Sequence, residues 1–384
     1  MIRVKKEKKQ NKQPIVCIET QMQQLSDMEY WNSLLHWKEN LFMPPEISLI
    51  ICFRNEAAKL PALLQALLCQ TFTSFELILV DDFSEDGSAE TAASILQNSS
   101  ISSAFISLKQ HLGEDFKNTS NKKRGIALAL SMCRSNTVLL TDADCTMESR
   151  WIESMLTEYR KQQLALAFGP VCFSKGDTLF TRFQEIDLVA MMACTKWTIQ
   201  HKIPMLGNAA NMLFDKSIFL ALNGYANNIH LPSGDDIFLL QQFMAAGKPV
   251  GFIASADSIV VTHPERTLLG FIQQRIRWAG KSSSYKNNTV KVALLGIYLL
   301  NLYVLLLFPL TLLFIVPVWL LLTTFMLKTI VDSFIIYPSL AFFKRKKLIW
   351  GMPIFECMHI LYVVSIGFLS LKKSYIWKGR QIKQ

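Results

Sequence analysis

Asp142 and Asp144 stand two residues apart at the end of an apolar run, Val138-Leu139-Leu140. In an extended chain, residues i and i+2 point to the same side, so both carboxylates can reach one ion. The run has the character of a buried strand. Acids at its carboxyl end fall where open α/β sheets bind their ligands. Two hard oxygen ligands at such a mouth suit Mg2+ or Mn2+ carrying a diphosphate. An Asp-x-Asp triplet alone is a weak signal, because Asp favours solvated turns. The weight therefore falls on the rest of the chain.

Three further stretches carry chemistry-bearing side chains. Asp81-Asp82 ends the apolar run Phe75 to Val80 and is followed by Ser84 and Gly87. That is a turn signal, and equally a place where a carboxylate accepts hydrogen bonds from a base or ribose. Lys122 and Arg124 open a helix, where a cation can hold a phosphate or simply face solvent. Gly234-Asp235-Asp236 precedes the apolar segment Ile237 to Phe243. There a carboxylate can cap the helix or act as a general base, and Asp235 is the one that suits the cap.

The elements that must position these groups alternate regularly. Strands are expected at 47–52, 75–80, about 104–108 and in the run ending at Asp142, with helices at about 60–69, 89–96 and within 120–133. Such alternation indicates a mainly parallel sheet covered on both faces. A helix is also expected over 268–280, with Gln274 one turn before Trp278 on the same face.

The chain has 384 residues, 51% hydrophobic and 18% charged, with a formal net charge of +10. Apolar residues concentrate after Lys291, which fits a globular body followed by a membrane segment. Basic residues cluster at the N-terminus, near Lys122, near Arg275 and in the last forty positions, a pattern suited to an anionic membrane surface or a phosphorylated substrate. No zinc-ligand spacing or aromatic-basic RNA signature supports a nucleic-acid partner. The eight scattered cysteines, without a Cys-x-x-Cys pair, suit reduced thiols packed as small hydrophobes. Met1 to Gln13 is basic without a following apolar core, so no export signal is expected. Residues 1–45 form a basic arm and an amphipathic segment ending at Met43-Pro44-Pro45.

In order, the chain carries Ile47-Ser-Leu-Ile-Ile-Cys-Phe-Arg-Asn-Glu56, Leu79-Val-Asp-Asp-Phe-Ser-Glu-Asp-Gly87, Thr141-Asp-Ala-Asp144, Gly207-Asn-Ala-Ala-Asn-Met212, Asn223-Gly224-Tyr225, Ser233-Gly-Asp-Asp-Ile-Phe-Leu239 and Gln274-Arg-Ile-Arg-Trp278. This series resembles the family-2 glycosyltransferases over about residues 46–280. Cys52 stands where relatives usually have Pro. The resemblance implies a GT-A fold, an α/β domain over 46–286 with a mainly parallel sheet, that uses a nucleotide-sugar donor, most readily a UDP-sugar. It implies that Asp81 or Asp82 binds the nucleoside, with Glu56 and Lys122 also on the donor. It further implies that Asp142 lies near ribose and metal, that Asp144 is the principal metal ligand, and that Asp236 is the catalytic base. Gln274, Arg277 and Trp278 would border the diphosphate and acceptor channel.

Residues 287–384 are expected to hold two or three transmembrane helices and a basic tail. No charge occurs from Val292 to Leu327, a run of about 54 Å as one helix and too long for a hydrocarbon core of about 30 Å. Two helices broken near Pro309 or Pro317 follow. Lys344-Arg-Lys-Lys347 and the tail Lys372 to Lys383 both favour the cytoplasm, yet one crossing by 348–371 between them would separate the two. The length of that run favours a third crossing. Pro353, Glu356 and His359 suit a re-entrant or interfacial segment. Trp377-Lys-Gly-Arg380 resembles an ending of membrane members of the same family.

The resulting expectation is a multi-pass enzyme of the inner or cytoplasmic membrane with a cytosolic catalytic domain. It would be metal-dependent and inverting, passing a hexosyl or N-acetylhexosaminyl group to a lipid-linked or growing glycan acceptor. Processive polysaccharide synthesis, nucleotidyltransfer and a catalytically inactive membrane scaffold are the alternatives.

Overall fold

The computed structural model describes residues 44–383, apart from 98, 118, 282–284, 286 and 373. The basic arm and amphipathic segment expected up to Met43 lie outside the described residues.

Strands β1 (Ile47–Phe53), β2 (Phe75–Asp81), β3 (Ser102–Ser107) and β4 (Thr137–Asp142) alternate with helices α1 (Leu60–Leu68), α2 (Ser88–Gln97), α3 (Leu108–Leu112) and α4 (Lys122–Met132). β1 pairs in parallel with both β2 and β4, and β3 pairs in parallel with β2. The chain therefore winds outward from β1 to β3 and resumes on β1's other side at β4. That reversal opens a crevice at the carboxyl ends of β1 and β4, where doubly wound sheets bind ligands. The strands are buried on both faces. Leu49, Ile51 and Phe53 pack into one core and Ile50 into the other, as period-2 alternation requires.

After β4 come β5 (Thr146–Met147), α5 (Trp151–Lys161), β6 (Leu166–Phe168), β7 (Val171–Phe173), α6 (Leu179–Gln200), β8 (Met212–Asp215), α7 (Lys216–Ala221), α8 (Asp235–Ala245), β9 (Val250–Phe252), β10 (Val260–Thr262) and α9 (Leu268–Gly280). They complete a seven-stranded sheet of order β3-β2-β1-β4-β8-β6-β9, in which β8 runs antiparallel to its neighbours. A small sheet of order β5-β10-β7 lies beside it. The fully buried Trp151 on α5 donates its indole N–H to Asn211 at 3.1 Å, tying this part to the loop before β8. Replacing Trp151 by Ala should cost about 3–5 kcal/mol.

Three long apolar helices follow: α10 (Asn288–Leu312), α11 (Val318–Phe342) and α12 (Met352–Leu369). Pro309 lies inside α10, and the break comes at 313–317, where Pro317 caps α11. At the end of α11, Arg345 pairs with Glu185 of α6 at 2.9 Å, bringing the chain back to the globular body. α12 then stays against that body. Phe355 joins its core, Tyr362 packs edge-on against Phe183 and Phe271, and Ile366 meets Ile276 of α9. The opposite face of α12, with Trp350 just ahead of it and Ile354, Leu361 and Phe368 along it, is exposed. The chain closes with the hairpin of β11 (Ser374–Trp377) and β12 (Arg380–Lys383).

Candidate active site

The sheet brings the acid-bearing ends of β1, β2 and β4 side by side, with Phe53 opposite Asp81 and Cys52 opposite Asp142 in the strand register. Each acid finds a cation or a donor. At the β2 mouth the Asp81 carboxylate accepts the Ser84 amide at 3.0 Å, and burial pushes its pKa up. Asp82 is enclosed differently. One carboxylate oxygen accepts from Asn121 at 2.9 Å, and both accept from Arg380, at 2.8 and 3.0 Å. Arg54, buried at the end of β1, donates to the Asp82 and Phe83 carbonyls at 2.8 and 2.9 Å. Glu56 is paired with Lys378, but burial outweighs that cation and raises its pKa.

At the β4 mouth, Asp142 pairs with Lys122 at 2.7 Å, and Asp144 lies 3.6 Å from Lys59. Lys122, the first residue of α4, also reaches Asp235 at 3.0 Å. Burial works against the charge on Lys122, but the two carboxylates outweigh it and hold its pKa well above the usual ammonium range. Burial likewise opposes the Asp235 carboxylate, and Lys122 wins, lowering its pKa. Lys122 thus bridges two acids. Arg124 lies against the Phe116 ring, 5.1 Å from its centroid. Among the described residues no cluster of three or more metal-ligating side chains occurs.

Asp235 does not cap α8. Gly234 takes the cap position with φ 86°, a left-handed conformation natural to glycine, and Asp235 becomes the first helical residue facing Lys122. Asp236 accepts the Ile237 amide at 2.7 Å and pairs with Lys281 at 3.2 Å. On α9, Gln274 reaches the Glu265 carboxylate at 3.5 Å, while Arg277 lies 6.0 Å from the Trp377 ring centroid. Trp278 covers Arg275, whose guanidinium is 4.1 Å from the indole centroid and pairs with Asp187 at 2.7 Å.

Lys122, Asp142, Asp235, Asp236, Arg277 and Trp278 line one cavity of about 1800 Å³. It continues between α6 and the apolar helices α10, α11 and α12, past Tyr298, Ile335 and Val363. Glu56, Asp81, Asp82, Asp144 and Gln274 are not among its lining residues; the first four sit at the strand mouths beside it and Gln274 turns to Glu265. Arg380, Lys378, Lys281 and Arg54 were not singled out for roles by their sequence context. Only the Trp377-Lys-Gly-Arg380 ending gave a signal for the first two.

The Glycosyl transferase family 2 model matches residues 48–215, and the Glycosyl transferase family group 2 model matches residues 137–364, more than half of the chain. Over 115 residues the chain is 30% identical to the cholesterol galactosyltransferase of Borreliella burgdorferi, a match covering 30% of this chain and 29% of that relative. The chain thus spans under a third of the curated relative it matches. Among solved structures it is similar to a mannosyltransferase from Pyrobaculum calidifontis in complex with GDP-Man and Mn2+. That likeness has a TM-score of 0.46 and 15% identity, over 69% of this chain and 72% of that one. It is also similar to S. aureus TarS, with a TM-score of 0.42 and 13% identity, over 63% of this chain and 40% of that one. Matched by its family across the acid-bearing sheet and on into the apolar helices, the chain belongs to the family 2 glycosyltransferases.

Proposed function

We propose that this protein is a membrane-bound, inverting glycosyltransferase that moves a hexosyl-type group from a nucleotide sugar to the hydroxyl of a lipid acceptor. The observation that carries this reading is the single cavity joining Asp142 and Asp236 to the apolar surfaces of α10, α11 and α12. A lipid held along those helices could present its polar end beside Asp236 without leaving the bilayer surface.

The chemistry divides among the named residues. Asp81 and Glu56 stand where a nucleoside would lie against the β1 and β2 mouths. Asp142 ends β4 and Asp144 follows it in the turn, and the two carboxylates would suit a divalent cation that keeps water and phosphate ligands. Such an ion, when bound, would neutralise charge on the departing diphosphate. Arg277 offers a further cation to the same group, with Trp278 on the cavity wall beside it, and Gln274 supports the helix that carries both. Asp236, held by Lys281 and the Ile237 amide, takes the acceptor proton. Attack from its side, opposite the leaving group, inverts the anomeric centre.

The packing of the apolar helices supports a topology with α10 and α11 crossing and α12 lying in the interface. The chain leaves the body at α10, returns to it at Arg345, and keeps α12 on it from Phe355 to Ile366 before the final hairpin docks. An even number of crossings keeps both basic segments and the catalytic domain on one side, and the positive-inside rule makes that side cytoplasmic. A cysteine at position 383 labelled from the face opposite the catalytic domain would overturn this.

The function is tested with purified protein in nanodiscs supplied with UDP- and GDP-sugars. The expected result is release of a nucleoside diphosphate in the presence of Mg2+ or Mn2+, abolished by chelator. Pyrophosphate release would instead indicate nucleotidyltransfer, and full turnover in chelator would remove the metal from the account.

A further inference from the structure

The last strand pair of the chain reaches the donor end of the cleft. β11 and β12 pair from Ser374 opposite Lys383 to Trp377 opposite Arg380, around a Lys378-Gly379 turn with φ 45° and 76°. Two positive φ values are the geometry of tight two-residue hairpin turns, and glycine supplies the second without steric cost. Tyr375 and Ile382 seat the hairpin against Ile276 of α9 and Ile366 of α12, and the Ile376 amide donates to Gln273 at 2.8 Å. The turn then delivers two cations to the mouths of β1 and β2.

Arg380 is 1% exposed and grips both oxygens of Asp82, a residue 298 positions earlier. Its guanidinium lies 5.7 Å from the Phe83 ring centroid. Lys378 donates to the Arg54 carbonyl at 2.6 Å and pairs with Glu56. A buried guanidinium–carboxylate pair is a weak source of stability, because both charges must be desolvated. Its two parallel hydrogen bonds fix geometry well. With Asp82 so held, the adjacent Asp81 carboxylate keeps Ser84 as its only hydrogen-bond partner among the described residues.

We propose that the C-terminal hairpin is a wall of the nucleotide pocket, and that Arg380 is a positioning residue acting through Asp82 to present Asp81 to the nucleoside. This rests on the nucleotide-sugar reading above. Because the hairpin follows α12 directly, it also ties the membrane-facing helix to the donor end of the cleft.

The test uses the full chain in nanodiscs, titrated with UDP and with GDP, alongside donor KM and kcat. Arg380→Ala is expected to weaken the diphosphate that the wild type binds, and to raise donor KM, by about tenfold or more while kcat changes by less than about threefold. Arg380→Lys should recover part of the loss. Combining Arg380→Ala with Asp82→Asn should cost no more than the larger single change, since both remove one interaction. If Arg380→Ala does not fold, Arg380→Lys and Asp82→Asn, singly and together, carry the same comparison. Affinity and KM within about twofold of wild type would overturn the proposal. So would higher turnover after deletion of residues 374–384, the behaviour of a plug. Wild-type protein that binds neither UDP nor GDP would overturn the donor reading itself, a result distinct from an unaffected variant.

Discussion

Two places along the cleft each carry a pair of adjacent acids, and the fold partners the two pairs differently. At the β2 mouth Asp82 is locked by Arg380 and Asn121, while the Asp81 carboxylate keeps a single local partner, Ser84. At the start of α8 both acids face the cavity and each has its own lysine, Asp235 pairing with Lys122 and Asp236 with Lys281. Two neighbouring carboxylates repel each other when both are charged and unpaired. At the β2 mouth, pairing Asp82 with a distant cation leaves Asp81 open to a ligand, whereas at α8 each acid is offset by a cation of its own. The two places differ in where the cation comes from. Lys122 belongs to the sheet's own helix layer and also holds Asp142, so it couples the start of α8 to β4. Arg380 arrives from the far end of the chain, after the membrane helices.

Changing Asp236 to Asn breaks the comparison hardest. It removes the proton acceptor but keeps the shape, so kcat should fall by about 10²–10⁴-fold while nucleoside diphosphate affinity holds. Near wild-type turnover would remove Asp236 from the role of base. A smaller effect should separate the donor pair. Asp81→Asn is expected to cost about tenfold in nucleotide affinity with an unchanged unfolding midpoint. Asp82→Asn leaves Arg380 buried without its full partner and should lower the midpoint as well. Equal behaviour of the two variants in both measurements would erase the distinction between them.

The smallest expected effect concerns Lys123, which donates to the carbonyls of Asn228 and Leu231 ahead of the Gly234-Asp235-Asp236 turn. Burial lowers its pKa to about 8. Above that pH the ammonium loses its proton and its grip on the loop weakens, so turnover should decline through about pH 8. Arg at this position stays charged and should carry activity further. The sign for stability is the reverse. Between about 8 and the ordinary 10.5 the unfolded chain binds more protons, so this group favours folding more as pH rises. An alkaline limb unchanged in Lys123→Arg would assign it to another group.

Much of the sheet was legible because β1, β2 and β4 are largely apolar runs, the last two ending in Asp81 and Asp142. A strand buried on both faces leaves that trace in the sequence. The period of two that would set Asp142 and Asp144 on one side stops at Asp142, where β4 ends, and Asp144 falls in a turn beside Lys59. The cation partners left no such trace. Arg380 and Asp82 meet across 298 positions, and no spacing rule connects them. Asp235 suited a helix cap by residue type, but a left-handed Gly234 took the cap and released the acid to Lys122. The last apolar run shows a further limit. Residues 348–371 have the hydropathy of a span, yet Phe355, Tyr362 and Ile366 of α12 pack on the body while Ile354, Leu361 and Phe368 do not. Composition does not report which face of an apolar helix packs on protein.

The most direct measurement follows the sugar. Wild-type protein in nanodiscs of defined lipid, given a labelled nucleotide sugar that it consumes, should yield a lipid gaining the mass of one glycosyl residue with inverted anomeric configuration. Donor consumption with no labelled lipid, a retained configuration, or label appearing in a long soluble polymer would contradict the account.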